Sequence, residues 1–266
     1  MRKRPIAKCK LCHEIKSLCD SHLIAAGFYR IIRGPGPHSN NPNPVFLRDE
    51  EAFSSSKPLV DYVLCEDCER RMRDRGEDWV LKNCLQADYT FKLRDAIAEA
   101  RPVCEASGQE FYATAPMLDI DSDKLHYFAL SVLWRSSVHA WKCRGRRGDV
   151  RLELGPYEEP LRLFLLDNGG FPDNSALIVR LLTMKDDRLK MIWLPETTKG
   201  AGFHSHQFAV PGLAFSFLVG GRIPPDELSL CSFRSQERFI RIARESDQVI
   251  MRDVQHRAEK ARRRMR

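Results

Sequence analysis

Apolar residues recur along this 266-residue chain in two rhythms, and they are sparse at its start. Up to about Leu85, long periodic stretches are few. RGPGPHSNNPNPVF (Arg33 to Phe46) carries too much Pro, Gly and Asn for regular structure and reads as a loop. The first helical pattern is CERRMRDRGEDWVLKNCL, expected to open just after Cys68 and to be weakened at its centre by Gly76. From Phe91 a helical period takes over. FKLRDAIAEA predicts a short helix stopped by Pro102. DSDKLHYFALSVLWRSSVHAWK predicts a longer one, with Asp121 or Ser122 as N-cap. Its Leu125, Tyr127, Phe128, Leu130, Val132, Leu133 and Trp134 wrap most of the way round, the pattern of a helix inside the core. YEEPLRLFLLDNGG predicts a third helix, with Pro160 in its first turn and Gly169 as its stop.

Beyond this point the rhythm shortens to strands. SALIVRLLTM and RLKMIWLP predict two, joined as a hairpin through KDD, and HQFAVPGLAFSFLVG predicts one or two more. The C-terminal RESDQVIMRDVQHRAEKARRRMR is rich in Lys and Arg and reads as a basic helix or tail.

Composition adds a little. A length of 266 residues is enough for one large domain or two small ones, and 43% hydrophobic residues is ordinary for a globular protein that buries a core. The net charge of +7 suits a polyanionic partner and equally suits a mildly basic soluble surface. No apolar stretch follows Met1-Arg2-Lys3-Arg4 before Cys9, and Phe208 to Gly221 is broken by Pro and Gly. A cytoplasmic protein without membrane segments is therefore expected. In a reducing compartment, nine cysteines are more readily metal ligands than a disulfide framework.

The cysteines are paired where it matters. Cys9 and Cys12 form one C-x2-C, and Cys65 and Cys68 a second. Two such pairs supply four thiolates, the ligand set of a closed tetrahedral zinc site. The long gap between them is tolerable, because loop-closure entropy rises slowly with length. One pair on a turn and one opening a helix is the treble-clef pattern. A zinc on four thiolates has no open coordination position, so it is structural. Cys19 reads as a core residue on the strand leading to His22, and Cys84, Cys104, Cys143 and Cys231 as core or incidental. The fold class implied is α+β: a small treble-clef zinc module, then a helical region and an antiparallel sheet. The expected divisions are a zinc-binding module at 1–88, an α+β domain at 89–246 and a basic helix or tail at 247–266.

The first 85 residues or so resemble the zinc-stapled HNH endonucleases. The likeness lies in Cys9-x2-Cys12, in Asp20-Ser21-His22 ending a short hairpin, and in Cys65-x2-Cys68 at a helix start. SHLIAAGFYR, Glu69 and the Gly76-Glu77-Asp78-Trp79 stretch resemble a subgroup of HNH-like bacterial proteins, as does LSVLWRSSV further on. The resemblance implies phosphodiester hydrolysis, of DNA before RNA. His22 would be the base that takes a proton from water, and one Mg²⁺ or Mn²⁺ would sit on carboxylates. Asp20, on the strand face of His22, and Glu69 and Glu77 on the following helix would be those carboxylates.

The sequence departs from the family at three points. Ser21 precedes His22 where His or Asp is usual, the terminal His is absent, and so is the middle Asn. Asp61, Asn40, Asn41 or Asn43 could stand in for that Asn. His22 equally suits a place in a hydrogen-bond network, and Glu69 and Glu77 equally suit the early turns of a helix. The alternative function is a non-catalytic zinc-containing module that binds nucleic acid or protein.

Two further features remain. Arg144, Arg146, Arg147 and Arg151 surround two glycines in a loop suited to phosphate, or simply a solvated loop. His204-Ser205-His206 places two imidazoles on one strand face, but with no third ligand in view it reads as a solvated strand edge. A protein partner or a homo-oligomer stays open.

Overall fold

The computed structural model describes residues 4–34, 45–48, 51–54, 57–106, 108–143, 148–182, 191–234 and 236–243. The chain opens with strands β1 (Ile6–Lys8) and β2 (Ile15–His22), paired as a hairpin whose turn carries Cys9 and Cys12. Helix α1 (Ala26–Arg33) follows, then a ribbon of β3 (Val45–Arg48) and β4 (Glu51–Ser54). β5 (Val60–Cys65) returns to pair antiparallel with β2, completing a small sheet ordered β1-β2-β5. α2 (Glu66–Met72) opens straight out of β5, two residues ahead of Cys68 rather than after it. It passes through a π turn at Arg73–Glu77 and resumes as α3 (Asp78–Asn83).

The rest begins with α4 (Lys92–Ala98), β6 (Cys104–Ala106) and β7 (Gln109–Ala113). α5 (Ser122–Val138) and α6 (Glu158–Leu165) come next. Then follow β8 (Ser175–Leu181), β9 (Ile192–Lys199), β10 (His204–Val210), β11 (Leu213–Val219), α7 (Pro225–Ser229) and β12 (Phe239–Ala243). The fold is α+β. Its large sheet has nine strands in the order β4-β3-β9-β10-β11-β8-β12-β7-β6. Most pairings are antiparallel, but β3 joins β9 and β12 joins β8 in parallel.

The expected β8–β9 hairpin does not form. β10 and β11 lie between those strands, and the KDD connection falls outside the described residues. The tight hairpin is β10–β11, closed by Pro211-Gly212 between the paired Val210 and Leu213. Pro sets the first turn position, and Gly212 supplies the positive φ of 77° that the second needs. Pro195 sits inside β9, which runs between β3 and β10 and thus in the interior of the sheet. The register with β10 slips there: Gln207 faces Glu196, but Ala209 faces Trp193. A bulge is where an interior strand tolerates proline.

α5 fulfils its pattern. Asp121 caps it, accepting from the Lys124 amide at 3.0 Å, and the helix is buried from Leu125 to Ser137. Phe128 is the hub of the core. Its ring packs against Phe28 at 5.5 Å, Phe208 at 6.0 Å and Phe215 at 5.7 Å, so α1, α5 and the large sheet share one apolar centre. The same buried cluster runs from Cys9 to Ile242. Phe46, on β3, lies within it against Tyr29. The 1–88 stretch therefore lends two strands to the large sheet and shares its core with 89–246.

Gly76 has a reason to be glycine. A Cβ there would fall 2.8 Å from the Phe128 amide nitrogen, so α5 crosses the π turn backbone against backbone. α6 ends at Leu165, earlier than Gly169, because Asp167 takes a left-handed turn at φ 61°. Its carboxylate is then held by Arg71 at 2.9 Å and by Arg75, which ties the loop after α6 to α2. Among the described residues no helix is long and apolar enough to cross a membrane.

Candidate functional site

The turn between β1 and β2 is closed by two backbone bonds, Cys9 N–H to Glu14 at 2.8 Å and His13 N–H to Cys9 at 3.0 Å. Lys10 N–H reaches across to the Val63 carbonyl on β5 at 3.1 Å. β5 then delivers Cys65 as the residue before α2, with Cys68 in the first helical turn. The sulfurs of Cys9, Cys12, Cys65 and Cys68 all lie within 4.8 Å of one another. Cys12 and Cys65 are 3.8 Å apart, and the Cys65 amide donates to the Cys9 sulfur at 3.3 Å.

Without metal, the hydrogen bond from Cys68 and the amides of Cys65, Cys12 and Leu11 outweigh burial and bring Cys9 down to about 4. Cys68 is driven the other way, chiefly by its bond to Cys9 and by burial, because a second charge would face the first. Four sulfurs at this spacing can hold a metal such as zinc, and binding would neutralise the mutual repulsion of their thiolates. Cys19 stands outside the cluster, half-buried on β2, with its thiol raised by burial. Cys84 is buried, and burial pushes it up to about 12. Cys104 and Cys143 are half-buried and Cys231 is buried.

His22 ends β2, opposite Val60 of β5. Its carbonyl accepts from Arg135 Nη1 at 2.7 Å, and Arg135 Nη2 donates to Glu77 Oε1 at 2.6 Å. Arg135 is 1% exposed and Glu77 8%, so three distant segments meet in a buried ion pair. Burial, then the nearby Arg135 charge, hold the His22 imidazole below its ordinary value, with Glu77 and Asp20 opposing. His22 is thus neutral at pH 7. Glu69 faces the same cluster. Its Oε1 is buried and has no hydrogen-bond partner among the described residues. Burial raises its carboxyl, and Glu77 adds to this against Arg135 and Ser21. Ser21 is buried and accepts from the Leu64 amide at 3.0 Å, so it joins β2 to β5. Asp20 is exposed at the surface.

The site residues expected from the sequence are therefore gathered only in part. His22, Glu69 and Glu77 belong to one polar cluster, and Asp20 lies within electrostatic reach of the imidazole. Among the described residues, however, the four cysteines are the one group of three or more His, Cys, Asp or Glu donors within 4.8 Å. Glu77 is already committed to Arg135. Asp61 is engaged too: it accepts from its neighbour's amide at 2.8 Å and sits 3.0 Å from His139 Nε2. Asn40, Asn41 and Asn43 lie outside the described residues. Arg135 is the residue that sequence reasoning missed. A single cation in the apolar run LSVLWRSSV should have demanded a buried carboxylate partner.

Elsewhere one expectation changes. β10 is an interior strand between β9 and β11, not an edge, because both its neighbours pair along it. His206 is consequently buried, with Nδ1 2.8 Å from the Thr197 hydroxyl, and no metal group includes it. Arg151 turns its Nε to the Ser137 carbonyl at 3.2 Å, near the end of α5. Arg144, Arg146, Arg147 and the basic tail lie outside the described residues. No protein-family model, curated protein or solved structure matches the chain.

Proposed function

We propose that this chain is an HNH-like endonuclease of the cytoplasm that hydrolyses phosphodiester bonds, of DNA before RNA. The observation that supports it most is the setting of His22. The imidazole is neutral and partly accessible, at the end of the strand that the cysteine cluster anchors, and its backbone is gripped by the Arg135–Glu77 pair. A neutral imidazole can take a proton from water as water attacks phosphorus, which frees the leaving oxygen. The four cysteines fit zinc, and zinc bound there would hold hairpin and helix together without an open coordination position. Arg135 and Glu77 position the histidine backbone and touch no reacting atom. The charge of +7 and the arginines at 144, 146, 147 and 151 suit a phosphate backbone.

The resemblance also implies Mg²⁺ or Mn²⁺ beside His22. Asp20, Glu69 and Glu77 do not lie with His22 within one ion's reach, so these residues do not fit a resident ion, and no step is assigned to one. That observation favours a second reading, a zinc-containing module that binds nucleic acid or protein without chemistry. One experiment separates the two: plasmid and RNA are incubated with the protein in Mg²⁺, in Mn²⁺ and in EDTA. The first reading expects cleavage, reduced about 10²- to 10⁴-fold or lost in His22→Ala with zinc content and circular dichroism unchanged. Retarded but uncut substrate in every ion decides for the second.

A further inference from the structure

Side chains on β8 and β11 alternate between two faces. Leu177, Val179, Phe215 and Phe217 enter the main core, whereas Ile178, Arg180, Ser216 and Leu218 turn the other way. There they line a cavity of about 380 Å³ together with Met191, Trp193 and Phe203. Its volume lies within the roughly 300–1,000 Å³ typical of small-molecule sites. The walls are largely apolar, and one charged group is set into them.

That group is Arg180. Its Nη1 donates to the Ser216 hydroxyl at 2.9 Å, and no carboxylate among the described residues bonds to it. Glu227 also lines the cavity, but it is committed to Arg241 at 2.6 Å. Gln207 is turned to Glu196 at 3.4 Å. Among the described residues two guanidinium groups thus stand near one carboxylate, and the positive charge is in excess. Burial and the neighbouring Arg241 press on Arg180 strongly enough to bring it down to about 10, with Glu227 opposing. A half-buried charge with no carboxylate bonded to it among the described residues is costly, and an anion entering the cavity would relieve that cost. The unused donors of a guanidinium match a carboxylate in a two-pronged bond.

We propose that this cavity binds a small organic anion with an apolar body, its carboxylate on Arg180 and its apolar part against Ile178, Trp193 and Leu218. The charge balance selects the ligand: a cation would meet Arg180 and Arg241, and a neutral molecule would leave Arg180 uncompensated.

Trp193 provides a fluorescence reporter, and calorimetry a second measurement. Decanoate, decanamide and decylamine serve as anionic, neutral and cationic probes on the full chain. Decanoate should bind about tenfold or more tightly than decanamide, with decylamine weakest. Arg180→Gln should bring decanoate to the level of decanamide without changing decanamide itself, and Arg180→Lys should keep a preference for the anion. Ser205→Trp, which fills the cavity from its wall, should weaken both probes and serves if Arg180→Gln does not fold. Equal affinity for decanoate and decanamide, no binding of either, a preference that survives Arg180→Gln, or binding of both probes unweakened by Ser205→Trp would overturn the assignment.

Discussion

All three residues of β1 face solvent, and Ile6 and Ile15 stand 76% exposed on the hairpin they share. In β8 and β11, by contrast, six of seven positions are buried in each strand. The small sheet cannot bury enough apolar surface to hold its own hairpin, and it has drawn four sulfurs together at the β1–β2 turn instead. The large sheet is covered on both faces through its central strands and relies on apolar contact. A structure below about 40 residues usually needs a staple of metal or disulfide, whereas a large one does not. The two regions thus fold under different rules while sharing one core, and the Arg135–Glu77 pair and Phe128 sit where they meet.

The strongest way to break this comparison is to remove a sulfur. Cys68→Ser should reduce bound zinc from one per chain to none. The loss to the small sheet should be on the order of 10 kcal/mol of apparent binding energy. Hydrogen exchange followed by mass spectrometry should show β1, β2, β5 and α2 opening while β8 and β11 stay protected. Equal acceleration in both regions would mean that the shared core makes them one cooperative unit, and that the contrast drawn here is wrong.

At the junction, Arg135→Ala should cost about 3–5 kcal/mol, because it strands a buried Glu77 carboxylate and an unpaired His22 carbonyl. Arg135→Met combined with Glu77→Gln should recover part of the loss, since the uncompensated charge is gone. Urea unfolding of the two single variants and the double variant measures the coupling. Additive losses would show that the pair does not act as a unit.

Acid should weaken the large sheet through His206. Burial, then His204, hold His206 down at about 4, against an ordinary imidazole near 6.5. Between those values the unfolded chain binds the proton and the folded chain does not. Stability is therefore full above about pH 6.5, falls as pH drops to about 4, and levels off below. The His206 share is roughly 3 kcal/mol across the window. His126, brought to about 3 by burial and by Arg238, extends the same decline. Denaturant unfolding from pH 7.5 to 4.5 should show this slope, flattened in His206→Gln. A slope unchanged by that substitution would mean that His206 is accessible to protons when folded.

What the sequence disclosed follows a physical line. α5 was legible because its apolar residues surround it and Asp121 stands at its start, both local signals. The cysteine pairs were legible because a tetrahedral ion imposes spacing. The ion pair was not, because Glu77 and Arg135 lie 58 residues apart and nothing local couples them. The sheet order failed for the same reason: SALIVRLLTM and RLKMIWLP look like a hairpin, but β11 takes the place beside β8. Of the candidate site, the sequence offered His22 and three carboxylates, but it could not say that Arg135 claims Glu77.

Gly76 gives the finest test of how closely the two regions are joined. Read locally, it is a weak point in a helix, and alanine there should help by up to about 1 kcal/mol. In the structure its missing side chain lets the π turn rest on α5, with Phe128 N and Lys124 O at 2.8 and 3.0 Å from where a Cβ would sit. Both are backbone atoms and cannot rotate away. Gly76→Ala should therefore destabilise by about 1–3 kcal/mol through overpacking, the opposite sign to the helix-propensity expectation. It should also shift Glu77 relative to Arg135, so thermal unfolding and the Arg135–Glu77 coupling energy should change together. A stabilised variant with the coupling intact would show that the crossing has slack, and that the small module leans on the large sheet less tightly than this contact implies.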